Sequence, residues 1–360
     1  MQLCHQGIGP QTRLNLCNRR DGGFLRLNMK KQLLSFVLVA GWLAGVAQAQ
    51  TTTGTASDTA VPVLPKATVN LQQTAQQQPS ASAATLPQTQ QYLLHSKLTG
   101  RTYRIQTMAV GSQPTEGYMP VYVLDGDMMF PTAATAAYTF YHHAKDNGAQ
   151  PLLIVGIGYD NGKLLDIPMR SLDYTPPMAA KGKISDSQPK RGEADAFLRM
   201  LRSELKPQLQ QQYRLQADKA AIIGHSYGGV LALYALLQHP QDFSHYIISS
   251  PSMWWNEGAL QHLPASYFKP LLQAKQDKFV RITVGEYEQA ASPYVDANGE
   301  RAKILADKQM VDKVDAMAKR LQALPNQHLR VESEHYPAET HTGAMFRAVL
   351  DGIKYTYRAH

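Results

Sequence analysis

Cysteine is almost absent from this chain: there are two, Cys4 and Cys17, and none follows. From residue 18 onward a disulfide framework, thiolate catalysis and cysteine metal sites are therefore excluded. Excess charge of one sign is also scarce. The formal net charge is +8, but residues 1–49 carry Arg13, Arg19, Arg20, Arg26, Lys30 and Lys31 against Asp21 alone, which leaves +3 for the remainder. No basic stripe of the kind that tracks a phosphate backbone is visible, so no nucleic-acid partner is expected.

Long hydrophobic runs are missing too, apart from one. Residues 30–49 read KKQLLSFVLVAGWLAGVAQA: two lysines, an apolar run shorter than the roughly 20 residues needed to span a bilayer, then Ala47 and Ala49 around Gln48. This is the pattern of a secretory signal peptide cleaved after Ala49, and it predicts a periplasmic or secreted protein with no stable membrane span after processing. The signal is assigned to residues 29–49, beginning at Met29. Residues 1–28 are expected to be a non-native upstream extension.

Residues 50–90 are rich in Thr, Gln, Ala, Ser and Pro, with no apolar periodicity. A segment of this kind buries too little surface to offset its ordering entropy, so it reads as a disordered tether. The catalytic domain is expected over residues 91–360.

From Tyr92 onward, short apolar runs alternate with amphipathic stretches. That pattern predicts an α/β fold with a mostly parallel central sheet and helices on both faces. YLLHSKLTGRTYRIQTMAV predicts an opening antiparallel pair turning at Thr99 and Gly100, while MPVYVLDG and PLLIVGIGY are apolar enough for buried central strands. PTAATAAYTFYHHAKDN, between them, has helical spacing with Pro in its first turn. GEADAFLRMLRSELKPQL presents Phe197, Leu198, Leu201 and Leu205 on one helical face. KAAIIGHS, HYIISSPS, KFVRITVGE and HLRVESEHY supply further strands, and a last helix is expected from about Ala344 to Tyr357.

The sharpest motif is Gly224-His225-Ser226-Tyr227-Gly228 at a strand-to-helix junction. In the G-x-S-x-G elbow of the α/β-hydrolase fold the serine occupies a strained turn, and flanking glycines let strand and helix backbones pass closely. Ser226 is thus the candidate nucleophile, at the positive end of the following helix. A serine hydroxyl needs a base to take its proton, and the fold's chain order is Ser, then acid, then His. His341, in PAETHTGAM after the last strand, fits the base. Glu288 and Glu286, in GEYEQ after the preceding strand, are the candidate acids, with Glu288 preferred because a longer stretch of loop swings its carboxylate towards the histidine.

Oxyanion donors are expected from the backbone N–H of Tyr227 and from the loop after MPVYVL, at Gly126 or Asp127. Arg170, in RSLDYTPP, could clamp a substrate anion or instead pair with Asp173. Trp254 and Trp255, in SPSMWW, could line an acyl or aryl pocket or simply pack. No metal and no organic cofactor is implied; the partner is a small-molecule ester substrate.

The ordered motifs LDGD, RSLDYTPP, GEADAFLRMLRSELKP, GHSYGG, SPSMWW, VGEYE and ETH resemble the esterase branch of the α/β-hydrolases that includes the ferric enterobactin and salmochelin esterases. Esterase D and the feruloyl esterases are more distant relatives. The resemblance spans Tyr92 to His360. It implies that Ser226 and His341 cleave a carboxylic ester through an acyl-enzyme, with trilactone siderophores among the substrates of the branch. Other readings stay open at this point: a hydrolase-fold protein that binds a ligand without turnover, an acyltransferase, or a feruloyl-type carboxylesterase.

Overall fold

The strands are buried where the sequence is most apolar. β3 (Met119–Leu124), β4 (Leu152–Tyr159), β5 (Ala221–His225) and β6 (His245–Ser249) are buried along their whole lengths, as strands covered on both faces must be. β1 (Gln90–His95), β2 (Thr102–Val110), β7 (Lys278–Gly285) and β8 (Leu329–Tyr336) complete one sheet in the order β1-β2-β4-β3-β5-β6-β7-β8. The first two pairings, β1 with β2 and β2 with β4, are antiparallel; from β4 to β8 every pairing is parallel. The computed structural model describes residues 84–179, 190–289 and 292–357, all within the compact unit Pro79–His360. The expected upstream extension and signal segment, and most of the tether, lie outside the described residues.

Ten helices join the strands among the described residues. They are α1 (Gly126–Ala144), α2 (Ile167–Asp173), α3 (Ala194–Met200), α4 (Lys206–Gln210), α5 (Tyr227–Gln238), α6 (Trp255–Gly258), α7 (Lys269–Leu272), α8 (Glu300–Lys308), α9 (Met310–Gln322) and α10 (His341–Thr356). Alternate side chains of β3 separate the two covering layers. Val121 and Val123 join Met129 and Phe130 of α1 and Met345 and Val349 of α10. Tyr122 and Leu124 turn to the other face, with Phe197 of α3 and Leu231 of α5. None of the described helices is long and apolar enough to cross a membrane.

The boundaries differ from expectation in four places, each for a physical reason. β1 begins at Gln90, paired with Thr107, and Leu86 packs against the core, so order reaches into the Thr/Gln-rich stretch. α1 starts at Gly126, ahead of the expected PTAAT start, and Pro131 lies inside it; a Cβ at residue 126 would overlap the Ile157 backbone of β4, so glycine lets the helix begin directly off the strand. The α3–α4 stretch is interrupted by a π-turn at Leu201–Leu205, just ahead of Pro207, which has no N–H for the carbonyl four residues back. α10 begins at His341, capped by the Thr340 side chain, which accepts from Gly343 N at 3.3 Å.

β4 and β5 both flank β3, so the winding of the sheet reverses there, and a crevice opens beyond the C-terminal ends of β3 and β5. Asp125 follows β3 and Ser226 follows β5 at this point. A Cβ on Gly224 would overlap the Gly228 carbonyl across the elbow. Gly224→Ala should therefore destabilise the fold by about 2 kcal/mol or more, read as a lowered urea midpoint at unchanged m-value.

Candidate active site

Ser226 sits at the N-cap of α5 with φ 60° and ψ −115°, a combination that costs a non-glycine residue of order 1–3 kcal/mol unless its surroundings enforce it. The enforcement is visible. Ser226 N donates to Ser249 O at 3.0 Å, and Val230 N donates back to Ser226 O at 3.0 Å. The turn leaves the Ser226 side chain half-buried at the crevice, one residue from His225, whose ring centroid is 4.5 Å from that of His341.

His341 Nδ1 lies 2.6 Å from Glu288 Oε2. The Glu288 side chain is 1% exposed and that of His341 37%, so the carboxylate is sealed beneath an imidazole that still reaches the crevice. An ionised carboxylate accepts only, so Nδ1 carries the proton and Nε2 is left as the basic nitrogen. Glu288 is itself fixed through Oε1, which accepts from Gly285 N at 2.8 Å and from Ser250 Oγ at 2.5 Å. Glu286 goes elsewhere: its Oε2 accepts from Ala338 N at 2.7 Å. Of the two candidate acids, the geometry brings Glu288 to His341.

The segment after β6 was missed in the sequence beyond its tryptophans. Ser249 Oγ is 3.0 Å from His225 Nδ1, Ser250 Oγ bonds Glu288, and Ser252 Oγ is 3.0 Å from Ser226 Oγ. The run S-S-P-S at the end of a strand next to the elbow strand was the available signal.

Asp125 adopts left-handed backbone angles, φ 52° and ψ 46°, just ahead of α1. Gly126 and Asp127 therefore open a helix, where first-turn N–H groups have no intrahelical acceptor; Tyr227 holds the same position in α5. The Asp127 side chain itself is engaged with β4 and β2, accepting from Tyr159 N at 2.8 Å and Arg104 Nη1 at 3.1 Å. Burial raises its carboxyl above the usual range against the pull of those bonds. Gly126 packs closely on β4, where a Cβ would overlap the Ile157 backbone.

Arg170 is not free to clamp a substrate. It is 5% exposed, and it donates through Nε and Nη2 to both Asp125 oxygens at 2.8 and 2.9 Å and through Nη2 to His225 O at 3.1 Å. Its guanidinium lies 5.5 Å from the ring centres of both Tyr174 and Tyr227. One side chain thus ties the Asp125 turn to the end of β5. The alternative pairing with Asp173 is also set aside: that carboxylate is bound by Arg101 and by the hydroxyls of Tyr103 and Tyr159.

The two tryptophans separate. Trp255 is 2% exposed and belongs to the core, so its expected place in a substrate pocket is corrected to packing. Trp254 is half-buried, 6.1 Å from the Tyr227 ring, with Lys308 Nζ 4.5 Å from its ring centre. Burial and the neighbouring Arg301 lower the Lys308 ammonium below its usual range. Among the described residues, no group of three or more His, Cys, Asp or Glu side chains is arranged to hold a metal ion.

The chain matches one family of known proteins. The esterase family model, described as "Putative esterase", matches residues 96–357. The chain is 32% identical over 280 residues to the siderophore triacetylfusarinine C esterase of Aspergillus fumigatus, covering 74% of this chain and 92% of that protein. It is 29% identical over 272 residues to the ferri-bacillibactin esterase BesA of Bacillus subtilis, covering 74% and 88% respectively. Among solved structures, the BES protein of Bacillus cereus superposes with a TM-score of 0.66 at 27% identity, covering 78% of this chain and 98% of that one.

Two outcomes follow from the buried groups. Arg170→Met strands the Asp125 carboxylate without its partner and should cost about 3–5 kcal/mol, measured by urea unfolding. His225 is held well below the usual histidine range by burial, with His341 and Arg170 nearby. Unfolded, it protonates near pH 6.5, so on acidification the unfolded chain takes up a proton that the native state refuses. Stability should fall below about pH 6.5 by up to roughly 1.4 kcal/mol per pH unit from this group. In paired melts at pH 7.5 and 5.5, His225→Asn should lose less than the parent.

Proposed function

The chain belongs to the esterase family and is a carboxylic ester hydrolase, and from that premise we propose that it works through an acyl-enzyme on Ser226. The observation that carries the reading is the buried Glu288 carboxylate bound to His341 Nδ1, with the His341 ring 4.5 Å from that of His225, the residue before the strained elbow serine.

In this mechanism His341 Nε2 takes the Ser226 proton as Oγ attacks the ester carbonyl. Glu288 keeps the imidazole in the required tautomer and stabilises the imidazolium once formed. The first-turn N–H groups of α5 at Tyr227 and of α1 at Gly126 or Asp127 receive the oxyanion, assisted by the positive ends of both helices. The imidazolium then protonates the departing alcohol, and water repeats the sequence in reverse to free the acid. Arg170 holds the two donor segments in register by binding Asp125 and the carbonyl of His225 at once.

The substrates we propose are siderophore esters. Support comes from the two similar esterases, named for triacetylfusarinine C and ferri-bacillibactin. The Trp254 face, flanked by Tyr227 and Lys308, offers an aromatic and cationic wall next to the nucleophile for a large ring-bearing ligand. The leader-like sequence of residues 29–49 supports an activity outside the cytoplasm.

A fluorophosphonate probe should label the protein stoichiometrically, and Ser226→Ala should abolish both labelling and ester cleavage. Persisting labelling in that variant would overturn the assignment. Glu288→Ala should keep labelling but lower kcat by about 10²-fold or more through loss of the tautomer lock. Turnover of triacetylfusarinine C or ferri-bacillibactin well above that of a short aryl ester supports the substrate class; the reverse order removes it.

A further inference from the structure

The Ser252 hydroxyl does something that the three-residue mechanism leaves out. It lies 3.0 Å from Ser226 Oγ, the atom that attacks. Ser252 is fully buried, and its place is fixed by the main chain, with Ser252 N donating to Ser226 O at 3.2 Å and Trp255 N donating to Ser252 O at 2.8 Å.

The direction of this hydrogen bond follows from burial. A hydroxyl proton sealed from water needs an acceptor, and among the described residues Ser226 Oγ is the partner that Ser252 Oγ has. Ser252 is therefore the donor. Ser226, half-exposed, accepts that bond and keeps its own proton free for a base. Were the bond reversed, the nucleophile's proton would be turned into the protein, and the Ser252 proton would be buried without a partner at a cost of about 1–3 kcal/mol.

We propose that Ser252 is a further catalytic residue of the ester cleavage, a hydrogen-bond donor to the nucleophile oxygen itself; this rests on Ser226 being that nucleophile. As Oγ gives its proton to His341 it gains alkoxide character, which the Ser252 O–H lies against, before the new bond to the carbonyl carbon passes the negative charge on to the carbonyl oxygen. When the acyl-enzyme breaks down, the C–Oγ bond cleaves, Oγ keeps the electron pair, and His341 returns a proton to it while Ser252 again donates. Ser252 keeps its own proton throughout, so the balance of the reaction is unchanged. The effect resembles an oxyanion donor placed on the attacking oxygen instead of the carbonyl oxygen.

The test is Ser252→Ala in the full-length protein, which removes one oxygen. The second-order rate of fluorophosphonate labelling and the kcat for an aryl ester should both fall by roughly tenfold or more, the effect of losing one hydrogen bond to a charging atom. KM and thermal midpoint should stay close to those of the parent, and the midpoint of the pH–rate profile should not move. Ser252→Thr, which keeps the hydroxyl, should recover most of the loss. Should the alanine variant melt early, Ser252→Cys, which fills the space with a weak donor, is read the same way. Labelling and turnover at or above parental rates in a folded variant lacking the hydroxyl overturn the proposal. Labelling that survives Ser226→Ala overturns instead the nucleophile assignment beneath it.

Discussion

The close passage of α5 across the end of β5 is the constraint on which the rest of the site depends. Only where Gly224 lacks a side chain can the two backbones come together, a Cβ there overlapping the Gly228 carbonyl, and only then is Ser226 forced to positive φ with its hydroxyl at the rim of the sheet. The strain has to be met from nearby. Here it is met by main-chain bonds to Ser249 and by packing of Gly229 against Pro251. The strand next door is thus both the clamp on the elbow and the source of the hydroxyls that touch the machinery. Ser249 bonds His225, Ser250 pins Glu288, and Ser252 reaches Ser226. Adjacent residues of one short segment serve different members of the site because β6 lies directly between β5 and β7.

A second tie holds the other half. The Arg170–Asp125 pair is buried and bidentate, and the same guanidinium binds the carbonyl of His225. A pair of this kind does not have to raise net stability to matter, because its desolvation cost is large. What it sets is position: the end of β3 and the end of β5, which come from separate strands, are locked at one separation. The first-turn N–H groups of α1 and α5 inherit that separation.

Much of this was legible in the sequence, and the parts that were not share a cause. The strand and helix alternation and the strand-to-helix turn at Ser226 are local patterns, set by periodicity and by glycine spacing, and they appear in the structure where they were expected. Glu288 could be favoured over Glu286 by loop length alone. Arg170 could not be read, because its partner lies 45 residues earlier in the chain and both Asp125 and Asp173 were chemically suitable. The two tryptophans are neighbours of identical type, and only the curl of the backbone after β6 sends Trp255 into the core while leaving Trp254 at the rim. The start of α10 was placed three residues late because His341 was read as a loop residue, whereas the Thr340 cap lets the helix open on it.

The two covering layers carry different kinds of work. α1 and α10 pack together on one face of the sheet through Phe130, Met129, Met345 and Val349; the first opens on the amide donors and the second on the imidazole. The opposite layer carries α5, which opens at Ser226 and Tyr227, together with α9. Away from those helix starts, drift in sequence on α9 and around Trp254 can reshape what is admitted while the turns at the strand ends stay fixed. A lineage built on this frame can change its diet without relearning its chemistry.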